Sequence, residues 1–126
     1  MAAARTWADG QATICRIVME AKIEVARQGF QSFVASLGAQ THAKAAGINN
    51  EAERQFQEAI ESQVVEYGNH YNRMLQFARG QEESPLRQGL EERLQESLNG
   101  FFQAVNEREQ LFRECTKKRL AEAVLK

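Results

Sequence analysis

One run of spacings constrains this chain more than any other property. Phe56, Ile60, Val64, Tyr67, Tyr71, Met74 and Ala78 follow one another at intervals of four, four, three, four, three and four residues. At about 100° per residue the seven side chains fall within an arc of roughly 80°, the narrow apolar seam of a long helix that packs against another. A second stripe, Leu86, Leu90, Leu94, Leu98, Phe101, Val105 and Phe112, is broad enough to cover the first. The two segments are expected to pair as a helical hairpin.

The rest of the chain agrees with an all-α fold. A single proline, with plentiful Ala, Glu, Gln, Leu and Arg, favours helices and disfavours strands. At 126 residues, 43% hydrophobic and 26% charged, the chain suits one soluble globular domain spanning 1–126. Two stretches punctuate it. In AAGINNEAE (45–53), Gly47 suits a helix end and Asn50 with Glu53 reads as a capping box. In ARGQEESPL (78–86), Gly80 stops a helix, and Ser84 with Pro85 starts the next. Thr6 and Asp9 have capping-box spacing at the front. Helices are therefore expected over about 7–46, 51–79 and 85–124, joined by short turns into an elongated up-down-up bundle of three antiparallel helices.

The first helix is less simple. Trp7, Ile14, Val18, Ala21 and Val25 share one line, whereas Phe30, Phe33, Val34 and Leu37, after Gly29, lie on nearly the opposite side. The first line continues only in small residues. Such a helix is buried on two sides, or kinks so that each half meets a different neighbour. Four large apolar side chains at ~1.5–3 kcal/mol each represent on the order of 6 to 12 kcal/mol, comparable to the net stability of a domain. Two arrangements satisfy this. Either the helix bends at Gly29 and wraps the hairpin, or Phe30, Phe33, Val34 and Leu37 form an interface with a second copy or another protein. Self-association, with the bundle completed by dimerisation, is the favoured reading.

Chemistry finds little support. Sixteen basic and seventeen acidic residues leave a net charge of −1, so no overall field recruits nucleic acid or an anionic surface. His70 shares a flank with Glu66 and Arg73 at ordinary helical spacing, without the cleft and orienting partner that catalysis requires, and His42 has no acidic neighbour. The inward Glu-x-x-His pairs of a di-metal bundle do not occur. Phosphate-binding glycine loops, HExxH and GxSxG are also missing. No enzyme, cofactor, metal or small-molecule substrate is expected.

Cys15 and Cys115 lack metal-ligand spacing and, in an up-down-up bundle, lie ~30 Å apart, too far for a disulfide. Free thiols and no apolar leader point to a cytoplasmic protein. Lys117, Lys118 and Arg119, preceded by Arg108 and Arg113, mark a basic tip on a terminus whose apolar line loses phase beyond Phe112. That tip either docks a partner or complements the helix dipole. The expected function is a non-enzymatic protein–protein interaction module: a scaffold, adaptor or assembly subunit whose partner is itself or another protein. The rival is an amphipathic bundle that lays its apolar faces on lipid. Gly68, at the edge of the middle seam, leaves a question that packing alone does not answer, since glycine inside a helix costs ~1 kcal/mol.

Overall fold

The computed structural model describes residues 2–37, 43–79 and 84–125. They form three helices, α1 (Ala2–Ser36), α2 (Ala43–Arg79) and α3 (Ser84–Leu125). At 35, 37 and 42 residues the helices are roughly 50 to 65 Å long. Cross-helix contacts fix their directions. Arg79, at the end of α2, donates to the Asp9 carboxylate near the start of α1 at 2.9 Å, so α1 and α2 are antiparallel. Phe56 meets Phe112 while Tyr67 meets Phe101, so α2 and α3 are antiparallel too. Lys22 with Asn106 and Phe30 with Phe112 rise together, which makes α1 and α3 parallel. The topology is up-down-up, as the short connections require. α2 packs along both neighbours, and α1 and α3 meet each other less.

The core runs the length of the bundle. α1 contributes Ala8, Cys15, Met19, Ala26, Phe30 and Val34, α2 contributes Ala52, Phe56, Ile60, Tyr71 and Leu75, and α3 contributes Leu90, Leu94, Leu98, Phe101 and Val105. Three phenyl rings, one from each helix, meet at one level. Phe30 stacks on Phe56 with centroids 4.5 Å apart, and Phe112 closes on both at 6.4 and 5.6 Å. Toward the other end, the Tyr67 ring lies where Gly100 leaves room; a Cβ at 100 would stand 3.1 Å from Tyr67 Cε1.

The first connection lies earlier than the capping signals predict. Gly47 and Asn50 are inside α2, which begins at Ala43, and residues 43–46 belong to this helix rather than to α1. The reason is packing. Ala45, Asn49 and Ala52 are all buried, and with Phe56 and Ile60 they extend the middle seam at intervals of four, three, four and four. Small residues carry that line, so its large members alone do not reveal it. Gly47 and Asn50 face solvent, where a glycine costs helix propensity but clashes with nothing.

At the front, α1 already starts at Ala2, so Thr6 and Asp9 form no cap; Asp9 instead pairs with Arg79. The start of α3 at Ser84 matches the Ser-Pro signal. Its far end does not overhang, because Thr116 and Leu120 are buried and the longer α2 reaches that level. α1 runs as one helix from Ala2 to Ser36, with Gly29 inside it. A Cβ at 29 would stand 3.1 Å from Glu109 Oε1, so this glycine lets the Glu109–Arg113 pair, 2.8 Å, lie across α1. Both cysteines are free, Cys15 buried and Cys115 exposed.

The ring triad makes a direct prediction. Phe56→Ala is expected to lower the unfolding free energy by ~3–5 kcal/mol, read as a fall in the urea midpoint of the helical circular-dichroism signal. A loss under about 1 kcal/mol, within the range of an ordinary surface change, would contradict the packing described.

Candidate interaction surface

Two of the four residues expected to form a second interface, Phe30 and Val34, are spent inside the bundle. Phe30 and Val34 are 1% and 3% exposed. Phe33 and Leu37 are half-buried, with Phe33 packed against the core under Arg113 and Lys117, whose charged groups lie 5.0 and 5.7 Å from its ring. This corrects the assignment of the inner face. Ala8, Cys15, Met19, Ala26, Phe30 and Val34 form one continuous line that faces the other helices. Small and sulfur-bearing residues hold that line in the first half of α1, and larger neighbours on the opposite side mask it.

The surplus face is therefore the other one. Ile14, Ile17 and Val25 are 49%, 58% and 65% exposed, and Ala21 between them is exposed as well. The face slopes into a shallow groove toward α3 lined by Val18, Ala21, Lys22, Val25, Phe102 and Asn106. Lys22 bridges this groove. Its Nζ donates to Asn106 Oδ1 at 2.6 Å and lies 5.9 Å from the Phe102 ring centre. The side chain thus links α1 to α3 where apolar contact between them is sparse. Val65, Phe77 and Leu111 are exposed on the other helices, off the periodic lines and apart from this face.

The basic tip is not gathered. Lys117 leans over Phe33, Lys118 is exposed, and Arg119 lies near enough to Glu51 to help hold its carboxyl below the ordinary range. Hydrogen bonds from Arg54 are the larger cause of that shift. His70 is exposed, and His42 lies outside the described residues. Among the described residues no group of three His, Cys, Asp or Glu side chains stands close enough to hold a metal. Burial pushes the Cys15 thiol up to about 11 and the Tyr71 hydroxyl up to about 12, so both stay protonated at neutral pH. Cys115, although exposed, has no base described beside it.

Gly68 has no neighbour within 4 Å of the position its Cβ would take. It lines a groove of about 390 Å³ between α1 and α2, with Val64, Val65, Cys15 and Met19 among the other walls. Among the described glycines, those with a close neighbour at the Cβ position are Gly100, beneath Tyr67, and Gly29, beneath Glu109.

Fold and surface together define an all-α three-helix bundle with one helix left apolar on its outer side. No family model, curated protein or solved structure matches the chain. Among the described residues no helix is long and apolar enough to cross a membrane.

The two glycines give a paired test. Gly68→Ala meets open space and is expected to raise stability by ~0.5–1 kcal/mol through helix propensity alone. Gly100→Ala must displace the Tyr67 ring and is expected to gain less or to lose. Equal gains in urea titrations would show that Tyr67 does not rest on Gly100.

Proposed function

We propose that this protein is a non-enzymatic interaction module, a small scaffold or assembly subunit that works through the outer face of α1. One observation carries the reading. Ile14, Ile17 and Val25 stand half to two-thirds exposed along a single helix face, in a chain whose other helices turn their apolar stripes inward. Burying such side chains is worth ~1.5–3 kcal/mol each, so a partner that covers them gains affinity without rearrangement of the core. Elsewhere Val65, Phe77 and Leu111 are exposed off the periodic lines, and part of the charged surface is tied into local pairs, such as Arg27 with Glu24 and Arg54 with Glu51 and Glu58. Pairs of this kind contribute little to stability and offer no apolar anchor.

Self-association is the form of contact favoured here. Light scattering over a concentration series is expected to show the mass rising from monomer toward dimer. Val25→Glu is expected to hold the chain monomeric with unchanged helicity, while Val65→Glu, on a different face, leaves the behaviour of the wild type. A wild-type chain that is monomeric at every concentration contradicts self-association. Co-flotation with anionic vesicles that Val25→Glu abolishes would assign the same face to lipid instead.

A further inference from the structure

We propose that the occupant of the α1 face is the α1 helix of a second copy, packed antiparallel about a two-fold axis that passes between Met19 and Glu20. The proposal rests on the interaction reading above and adds the arrangement. Trp7, Gln11, Ile14, Val18, Ala21, Val25, Gln28, Ser32 and Ala35 alternate at intervals of four and three along the outer side of α1, the spacing of a two-helix seam. None of these nine residues is charged, in a chain that is 26% charged. Ile14, Ala21, Val25, Gln28, Ser32 and Ala35 are exposed, positions where a monomer ordinarily carries charge. Charge is excluded from the line even where the chain itself leaves it uncovered. Depletion of charge at the centre of a contact is the mark of an interface rather than of a solvated surface.

The same line is complementary to its own reverse. With the axis between residues 19 and 20, Val18 stands opposite Ala21 of the second copy, Ile14 opposite Val25, Gln11 opposite Gln28 and Trp7 opposite Ser32. The two innermost levels pair aliphatic side chains with one another, and the next pair is amide against amide. A two-fold contact must be self-complementary in this way, residue i meeting j while j meets i. The axis also falls within one residue of the midpoint of α1, Ala2–Ser36, so the two helices overlap along their whole length.

Full overlap sets the scale of the contact. A strip ~10 Å wide and ~50 Å long on each partner falls near the lower limit of specific interfaces. The dimer is accordingly expected to dissociate on dilution. Pairing across Ile14 to Val25 alone, ~17 Å of axis, falls well short of that limit.

Cysteine cross-linking tests the arrangement. In a Cys115→Ser background, proteins carrying Val18→Cys or Ala21→Cys are oxidised under mild conditions, separately and as an equimolar mixture, beside light scattering of the same samples. The expected result is a disulfide-linked dimer at least fivefold more abundant in the mixture than in either protein alone, because only the mixed pair brings Cα atoms within about 7 Å. Ile14→Cys mixed with Val25→Cys is expected to repeat it. Dimers by scattering in which Val18→Cys links to itself as readily as to Ala21→Cys overturn the antiparallel register and leave the interaction reading standing. Dimers that link in none of these pairs overturn it likewise. Monomers throughout, with wild type also monomeric, overturn the self-association on which it rests.

Discussion

The bundle depends on the meeting of Phe30, Phe56 and Phe112, one ring from each helix. Long helices joined by short turns have many registers in which apolar stripes touch. A ring stacked at 4.5 Å on one neighbour and set edge-on at 84° to another admits very few of them. The contact also determines which side of α1 faces in, since Phe30 reaches the triad only if Cys15, Met19, Ala26 and Val34 are turned inward with it. Ile14, Ile17 and Val25 are then outside. The exposed face of α1 is a consequence of the core and not a separate feature.

Much of this was legible in the sequence, and the failures share a cause. The seams of α2 and α3 are written in large side chains, so their spacing predicts the hairpin, while Ser84 with Pro85 marks the start of α3 and the short connections give the up-down-up order. The beginning of α2 is written in Ala45, Asn49 and Ala52, and the inner line of α1 in Ala8, Cys15 and Ala26. Small residues fit where helices approach closely, and there they carry the phase of the helix without much apolar weight. Large side chains alone therefore point to a turn at Gly47 and to Ile14, Val18 and Val25 as the inner line, with Phe30 and Val34 left for a second neighbour. The large apolar side chains that the bundle leaves exposed on α1 are Ile14, Ile17 and Val25, on the side away from Phe30 and Val34.

The polar surface was easier to anticipate. Glu24, Glu58, Glu61 and His70 are all exposed. Among the described residues nothing packs on the position a Cβ at Gly68 would take. Its groove lies on the α2 side of α1, whereas the apolar face turns away and slopes toward α3, so a second copy on that face leaves Gly68 open.

Thiol accessibility along α1 reports the orientation of that helix without intermediate assumptions. With Cys115 replaced by serine and the buried Cys15 kept as the unlabelled background, cysteines introduced one at a time at 14, 17, 25, 30 and 34 are exposed in turn to a thiol reagent at high dilution, where copies do not associate. The account predicts rapid labelling of Ile14→Cys, Ile17→Cys and Val25→Cys, and protection of Phe30→Cys and Val34→Cys until the fold is melted. Rapid labelling at 30 and 34 with protection at 14 and 25 would mean that α1 is turned the other way, and both the core and the surface described here would be wrong.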